Sequence, residues 1–206
     1  KLPSYLIAVS GQLVREREAL LEEVQSLSES VEHIKSVVSM QQEHARFVGV
    51  VEQVRVAQLL DDALKLHALT FEKQGIQVRR EYAEVAPVLM DRHKLLQILF
   101  NLLSNARQAL QESGRADKQL LLRIGEDGAG ERLRVEVTDN GIGISSENLP
   151  RLFTQGFTTK KEGHGFGLHT SALAAAELGG TLTCSSPGPG QGATFLVELP
   201  ARRNHA

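Results

Sequence analysis

Cysteine is almost missing from this 206-residue chain. Cys184 is the only one, which excludes an intrachain disulfide, and no Cys/His cluster has the spacing of a zinc site. That usage fits a reducing, cytoplasmic setting. An excess of charge of either sign is missing too: 23 Lys and Arg against 25 Asp and Glu leave a formal net charge of -2. The basic residues are interspersed with acids instead of forming a stripe, so nucleic acid is not an expected partner. No apolar run approaches a membrane span, and no signal peptide is visible. The chain begins at Lys1 without a methionine, so it is expected to be a piece of something longer, with any sensor or membrane-anchored region upstream. Hydrophobic residues at 41% and charged residues at 23% are ordinary for a globular protein with a sizeable core.

The longest absence is of helix breakers. From residue 5 to residue 46 there is no proline and, after Gly11, no glycine. Apolar residues recur there by sevens, Leu6, Leu13, Leu20, Leu27 and Ile34 in one row and Val24, Val31, Val38 and Ala45 in a second. This a/d seam predicts a helix of about 40 residues, roughly 60 Å long at 1.5 Å per residue. Such a helix needs partner helices, and a homodimeric coiled coil or bundle over residues 1–47 is the expectation. A long helix packed on its own domain is the other reading.

At Gly49 the pattern changes. A short strand is expected at 50–54, an amphipathic helix over 56–73 closed by Gly75, and a strand over 76–82. Pro87 reads as a connection, and Asp91 as the N-cap of a strongly apolar helix running to Leu110 and closed by Gly114. Strands follow over 119–124 and 132–138, then a helix over 168–178, then strands over 181–185 and 193–199, with a polar tail from Pro200 that should fray. Strands and helices do not alternate regularly, so an α+β sandwich, one layer of sheet against one of helices, is the economical packing of residues 48–206.

Two glycine-rich turns bracket the polar centre of the chain. DNGIG at 139–143 ends an alternating strand with Asp139 at its tip, and GHGFG at 163–167 opens directly into a helix. One carboxylate thus sits at a strand end and a set of free backbone N–H groups at a helix start, where glycine lets an anion approach closely. Either half alone is an ordinary hairpin turn or helix cap. Together they suggest a nucleotide pocket with a mobile cover. The run QILFNLLSNARQAL at 97–110 adds Asn101 and Asn105, four apart and therefore on one helix face. They are either hydrogen-bonded core amides or, through an amide oxygen, neutral ligands to a Mg²⁺ carried by a nucleotide.

NLLSNA, DNGIGI, LFTQGFTTKK, GHGFGLH and GATFLVELP occur in that order, and the series resembles the N, G1, F and G2 boxes and closing strand of sensor histidine kinases of two-component signalling. The resemblance covers the whole chain, with the heptad helix similar to the second helix of the dimerisation and phosphotransfer hairpin. It implies a Bergerat-type fold, a mixed sheet covered on one face by three helices, with ATP held beneath a flexible lid. It further implies Asn105 as Mg²⁺ ligand, Asn101 as its helper near the phosphates, and Asp139 as acceptor of the adenine amino group. Gly141 and Gly143 would let base and sugar lie against the backbone. Gly163, Gly165, Gly167 and Leu168 would wrap the phosphates, Lys160 would add positive charge, Thr194 would reach adenine, and Phe153 and Phe157 would anchor the lid or simply pack.

In related ATPases of this fold a glutamate four residues before the metal asparagine acts as base. Here that place is Asn101, which cannot take a proton. The resemblance therefore implies a kinase that moves the ATP γ-phosphate to a histidine and on to a response-regulator receiver domain. A degenerate ATP-binding scaffold that docks a regulator without transfer is the alternative, and a serine-directed kinase relative is a third. None of the seven histidines has the context of the family's phosphoacceptor. His33 and His44 lie at the wrong end of the hairpin, so the acceptor is expected upstream.

Overall fold

The computed structural model describes residues 50–159 and 165–203, together with Gln12, Glu16 and Arg17. The chain divides into two compact units, Lys1–Gly49 and Val50–Ala206. In the first, the three described residues are helical, and the Gln12 amide donates to Glu16 Oε1 one turn on at 3.1 Å. The heptad rows, His33 and His44 lie outside the described residues, as do Lys160, Gly163 and His164.

The second unit runs β1 (Val51–Val54), α1 (Val56–Lys73), β2 (Gln77–Tyr82), β3 (Val88–Asp91), α2 (Arg92–Glu112), β4 (Gln119–Glu126), β5 (Arg132–Asp139), a 3₁₀ turn (Leu149–Arg151), α3 (Gly167–Glu177), β6 (Thr181–Ser185) and β7 (Ala193–Pro200). Five strands form one sheet in the order β2-β4-β5-β7-β6. β2 runs parallel to β4 and the remaining pairs are antiparallel, so the sheet is mixed. β1 and β3 make a separate antiparallel pair.

Alternation along β5 drives one face inward. Leu133, Val135 and Val137 are fully buried, as are Leu120 and Leu122 of β4 and Val197 and Leu199 of β7. They meet the apolar stripe of α2, where Leu95, Ile98, Leu99, Leu102, Leu103 and Leu110 are likewise inaccessible. The opposite face carries charge. Arg123 reaches Glu81 at 2.7 Å and Glu136 at 3.1 Å, and Arg134 reaches Glu198 at 2.8 Å. Each exposed pair contributes little to stability, but the ladder keeps this face solvated.

α2 is the central helix. Asp91 caps it as the sequence indicates, its carboxylate accepting from the N–H groups of His93 at 3.0 Å and Lys94 at 3.1 Å. α1 lies parallel on one side, joined through Arg92–Asp62 at 3.8 Å and Gln74–Gln111 at 3.0 Å. α3 lies antiparallel on the other, joined through Lys94–Glu177 at 2.7 Å and Asn101–Ser171 at 2.9 Å. The end of α1 also follows expectation: Gly75 N–H donates to Glu72 and Ile76 N–H to Phe71, the paired closure that leaves Ile76 against the buried Phe71.

Two expectations are corrected. The segment after Pro87 is a strand, β3, and not merely a connection. The tail does not fray over 200–203: Pro200 ends β7, Ala201 N–H donates to Glu131 O at 2.8 Å, Arg202 O accepts from Leu89 N–H at 2.7 Å, and Arg203 pairs with Glu126. Polar side chains are compatible with order when the main chain finds partners.

Candidate functional site

β5 delivers Asp139 to the rim of the helical layer with only 4% of its surface exposed. Its Oδ1 accepts from Gly141 N–H at 2.8 Å. Burial pushes the carboxyl up to about 6, against the opposing pull of the Gly141 and Ala193 N–H groups. The turn that follows is fixed by main-chain contacts. A Cβ on Gly141 would lie 2.6 Å from the Ala109 carbonyl of α2 and 2.7 Å from Asp139 Oδ1, and Ile142 N–H donates to that same carbonyl at 3.2 Å. Gly143 takes φ +66°, and a Cβ there would run into the Gly188 carbonyl. Only glycine tolerates both demands.

Other groups surround this end. Thr194 of β7 stands opposite Thr138 of β5 with their hydroxyls 2.9 Å apart, and the alternation of both strands turns them to the charged face of the sheet, so the expectation that Thr194 joins Asp139 is corrected. Asn140 locks the turn to β4, accepting from Gln119 N–H at 2.8 Å and donating to Asp117 O at 2.7 Å. Ser186 accepts from Ile144 N–H at 3.0 Å and donates to Gly192 O at 2.6 Å. Sequence reasoning passed over Asn140 and Ser186. Asn140 stands inside the DNG motif, whereas nothing near Ser186 marks it. The result is a buried carboxylate beside a turn whose glycines press on neighbouring main chain, and such a carboxylate accepts hydrogen bonds only.

At the other end, Asn101 and Asn105 stand half-buried on the face of α2 toward the start of α3. The Asn101 amide donates to Gly167 O and, at 2.9 Å, to the Oγ of Ser171, a hydroxyl buried completely. The amide lies flat against Gly167, where a Cβ would be 2.7 Å from Asn101 Oδ1. Gly165 meets the backbone of Gly156 and Phe157 with no space for a side chain. These two glycines thus have packing reasons for their presence, which the sequence reading assigned to phosphate. Leu168 and Phe153 pack on the core, while the Phe157 ring lies 4.7 Å from the Arg151 guanidinium. His169, on the first turn of α3, meets Phe153 O through Nδ1 at 2.9 Å.

A separate groove of about 1000 Å³ lies between α1 and β2, floored by Leu64, Phe71, Ile76 and Val78. None of the motif residues lines it. No helix among the described residues is long and apolar enough to cross a membrane.

Residues 90–203 match the family described as histidine kinase-, DNA gyrase B- and HSP90-like ATPase, and the chain belongs to that family. The sensor histidine kinase ZraS of Escherichia coli (strain K12) is 34% identical over 151 residues, covering 73% of this chain and 31% of ZraS. Full-length ShkA, solved in complex with AMPPNP, is similar at 27% identity with a TM-score of 0.70, covering 90% of this chain and 39% of ShkA. The catalytic domain of the histidine kinase ThkA shares the fold, with a TM-score of 0.66 at 24% identity over 75% of this chain and 99% of that domain. Within the family, then, this is an ATP-binding domain of the sensor histidine kinase type, with the Bergerat-type α+β fold. It spans under a third of the length of ZraS.

Proposed function

We propose that the chain binds Mg-ATP and forms the catalytic part of a sensor histidine kinase, moving the γ-phosphate to a histidine imidazole for relay to a receiver-domain aspartate. The observation that carries this reading is the buried Asp139 carboxylate at the end of β5, beside a glycine turn locked against the Ala109 and Gly188 main chain. Asp139 accepts the adenine amino group; guanine would present a carbonyl oxygen there and leave both acceptors unpaired. Gly141 and Gly143 offer main chain for base and sugar to lie against.

The phosphates lie toward Gly165, Gly167 and Leu168 at the start of α3, and Gly163 and Lys160, outside the described residues, join them in this reading by their motif alone. Asn101 holds α3 in place through Gly167 and Ser171. Among the described residues no three His, Cys, Asp or Glu side chains gather to hold a metal ion. A Mg²⁺ brought by the nucleotide would find in the Asn105 amide oxygen a hard, neutral ligand. Such an ion would neutralise phosphate charge during transfer.

The chemistry asks little of a base. A neutral imidazole nitrogen forms the new N–P bond with its own lone pair as the bond from the γ-phosphorus to the bridging oxygen breaks and ADP leaves, so positioning and charge neutralisation suffice. Residues 1–47 serve as the second helix of a dimerising hairpin and residues 48–206 as the catalytic domain. The acceptor histidine lies upstream, and the working unit is a cytoplasmic homodimer whose longer chain can carry a membrane anchor.

Incubation with γ-labelled Mg-ATP tests this, with the upstream hairpin helix supplied in trans and Asp139→Asn as control. Label on that helix that survives alkali but not acid, and disappears in the variant, is expected. Acid-stable label, or ATP binding without any transfer to the helix, would count against a histidine kinase.

A further inference from the structure

His169 has no part in the reading above, yet its place in the fold is specific. It stands two residues after Gly167 in the first turn of α3, half-buried, with Nδ1 2.9 Å from the carbonyl oxygen of Phe153. A carbonyl only accepts, so Nδ1 must carry the proton and donate, in the neutral ring as in the cation. Phe153 belongs to the segment 149–157, which runs from the 3₁₀ turn and packs partly on the core. Four residues before His169, Gly165 presses on the main chain of Gly156 and Phe157 so closely that no side chain fits. The segment and the start of α3 therefore meet twice, once by backbone contact and once through the imidazole.

We infer that His169 is a positioning residue for the phosphate end of the nucleotide site, tying segment 149–157 to the first turn of α3 through Nδ1–H and Phe153 O. This rests on the reading that the α3 N-terminus faces phosphate. The Asn101 amide holds the same turn from the α2 side, through Gly167 O and Ser171 Oγ, so the turn is held from two directions. The base end has its own anchors, Ala109, Asn140 and Ser186, and does not depend on His169. Loss of the imidazole thus displaces phosphate contacts and leaves the base site intact.

The geometry also fixes which substitution restores the bond. Asparagine places its amide nitrogen on Cγ, where histidine has Nδ1, whereas glutamine places its amide one bond further out, nearer the place of Nε2. Dissociation constants for ADP and for adenosine, measured on the whole chain by competition against a fluorescent adenine nucleotide, test the assignment in His169→Ala, His169→Gln and His169→Asn. The alanine and glutamine variants should bind ADP about fivefold more weakly with adenosine unchanged, and the asparagine variant should recover ADP affinity. Parallel loss for ADP and adenosine, or an asparagine variant no better than alanine, overturns the assignment.

Amide hydrogen exchange without nucleotide gives a second readout. Thr154 N–H donates to Arg151 O at 3.0 Å and Phe157 N–H to Thr154 O at 3.2 Å. Both should exchange faster in the alanine and glutamine variants but not in the asparagine variant. Unchanged exchange in all three overturns the tie itself. An unsubstituted chain that binds neither adenosine nor ADP would instead overturn the nucleotide reading, and the inference with it.

Discussion

The two ends of the candidate site are built from different materials. At the Asp139 end, backbone meets backbone: Gly141 against the Ala109 carbonyl, Gly143 against Gly188, Gly192 against Asp139. At the α3 end, side chains span the gaps: Asn101 to Gly167 and Ser171, His169 to Phe153. A surface made of crossing backbones tolerates no added atom, and the Asn140 and Ser186 side chains only pin it to neighbouring main chain. A surface tied by amides and an imidazole can be loosened one bond at a time. The first suits recognition of a rigid base, and the second suits a segment that must adapt to a transferred phosphate.

The sharpest way to break this contrast is to add one methyl to the crossing backbones and one to a glycine outside the site. Gly143→Ala should destabilise the second unit by about 3 kcal/mol, because it meets both the Gly188 carbonyl and a positive φ of +66°. Chemical denaturation reads this directly. Gly75→Ala, also at φ +66° but with nothing within 4 Å, should cost only about 1 kcal/mol and separates crowding from backbone strain.

Asp139→Asn should divide binding from stability. Because burial raises the carboxyl to about 6, an ionised Asp139 is disfavoured in the folded state at neutral pH, by about 3 kcal/mol. That penalty is relieved as pH falls from about 6 toward the ordinary aspartate value. The variant should therefore unfold at a higher temperature than the parent at pH 7 while losing adenine recognition, and the gain should vanish at acid pH. ATP affinity of the parent should fall as the pH drops below about 6. A less stable variant at pH 7 would show that the carboxylate is held by partners and not merely tolerated.

Asn101→Ala leaves the Ser171 hydroxyl buried without its donor and should cost about 2 kcal/mol. Ser171→Ala, which removes the acceptor with its partner still able to reach Gly167 O, should cost less. A double-mutant cycle between them measures the tie, and strict additivity would deny it.

The smallest effect is expected outside the site. His67 is 8% exposed on α1, stacked 5.5 Å from Phe71 with the Phe100 ring tilted against it at 4.7 Å, and its Nε2 has no hydrogen-bond partner among the described residues. Burial, and then Arg107, lower its pKa. The neutral ring is thus favoured on folding, and stability is lost as pH falls from the unfolded value of 6.5 toward the depressed folded one. His67→Leu should be within about 1 kcal/mol of the parent at pH 8 and flatten the acid limb of the stability profile.

Much of this was readable in the residues themselves. The alternation of Leu133, Val135 and Val137 places Asp139 at a strand tip, and Asp91 before an apolar stripe marks a helix start, because both signals are local. β3 was not legible: four residues, Val88–Asp91, are too short for a period and sit directly after Pro87. Nor was the order of the tail, since Arg202 O is satisfied by Leu89, a residue more than a hundred positions away. A separation of 66 positions from Asn101 hid the packing purpose of Gly167. A glycine at a helix start suggests phosphate, and only the fold brings Asn101 against it.

The account stands most directly on one titration: Mg-ATP and Mg-GTP against the whole chain and against Asp139→Asn, by calorimetry. It predicts one ATP per chain, GTP weaker by at least about a hundredfold, and ATP binding lost in the variant. Equal affinity for the two nucleotides, or ATP binding indifferent to Asp139→Asn, would contradict the base-recognising role of the buried carboxylate on which the proposal rests.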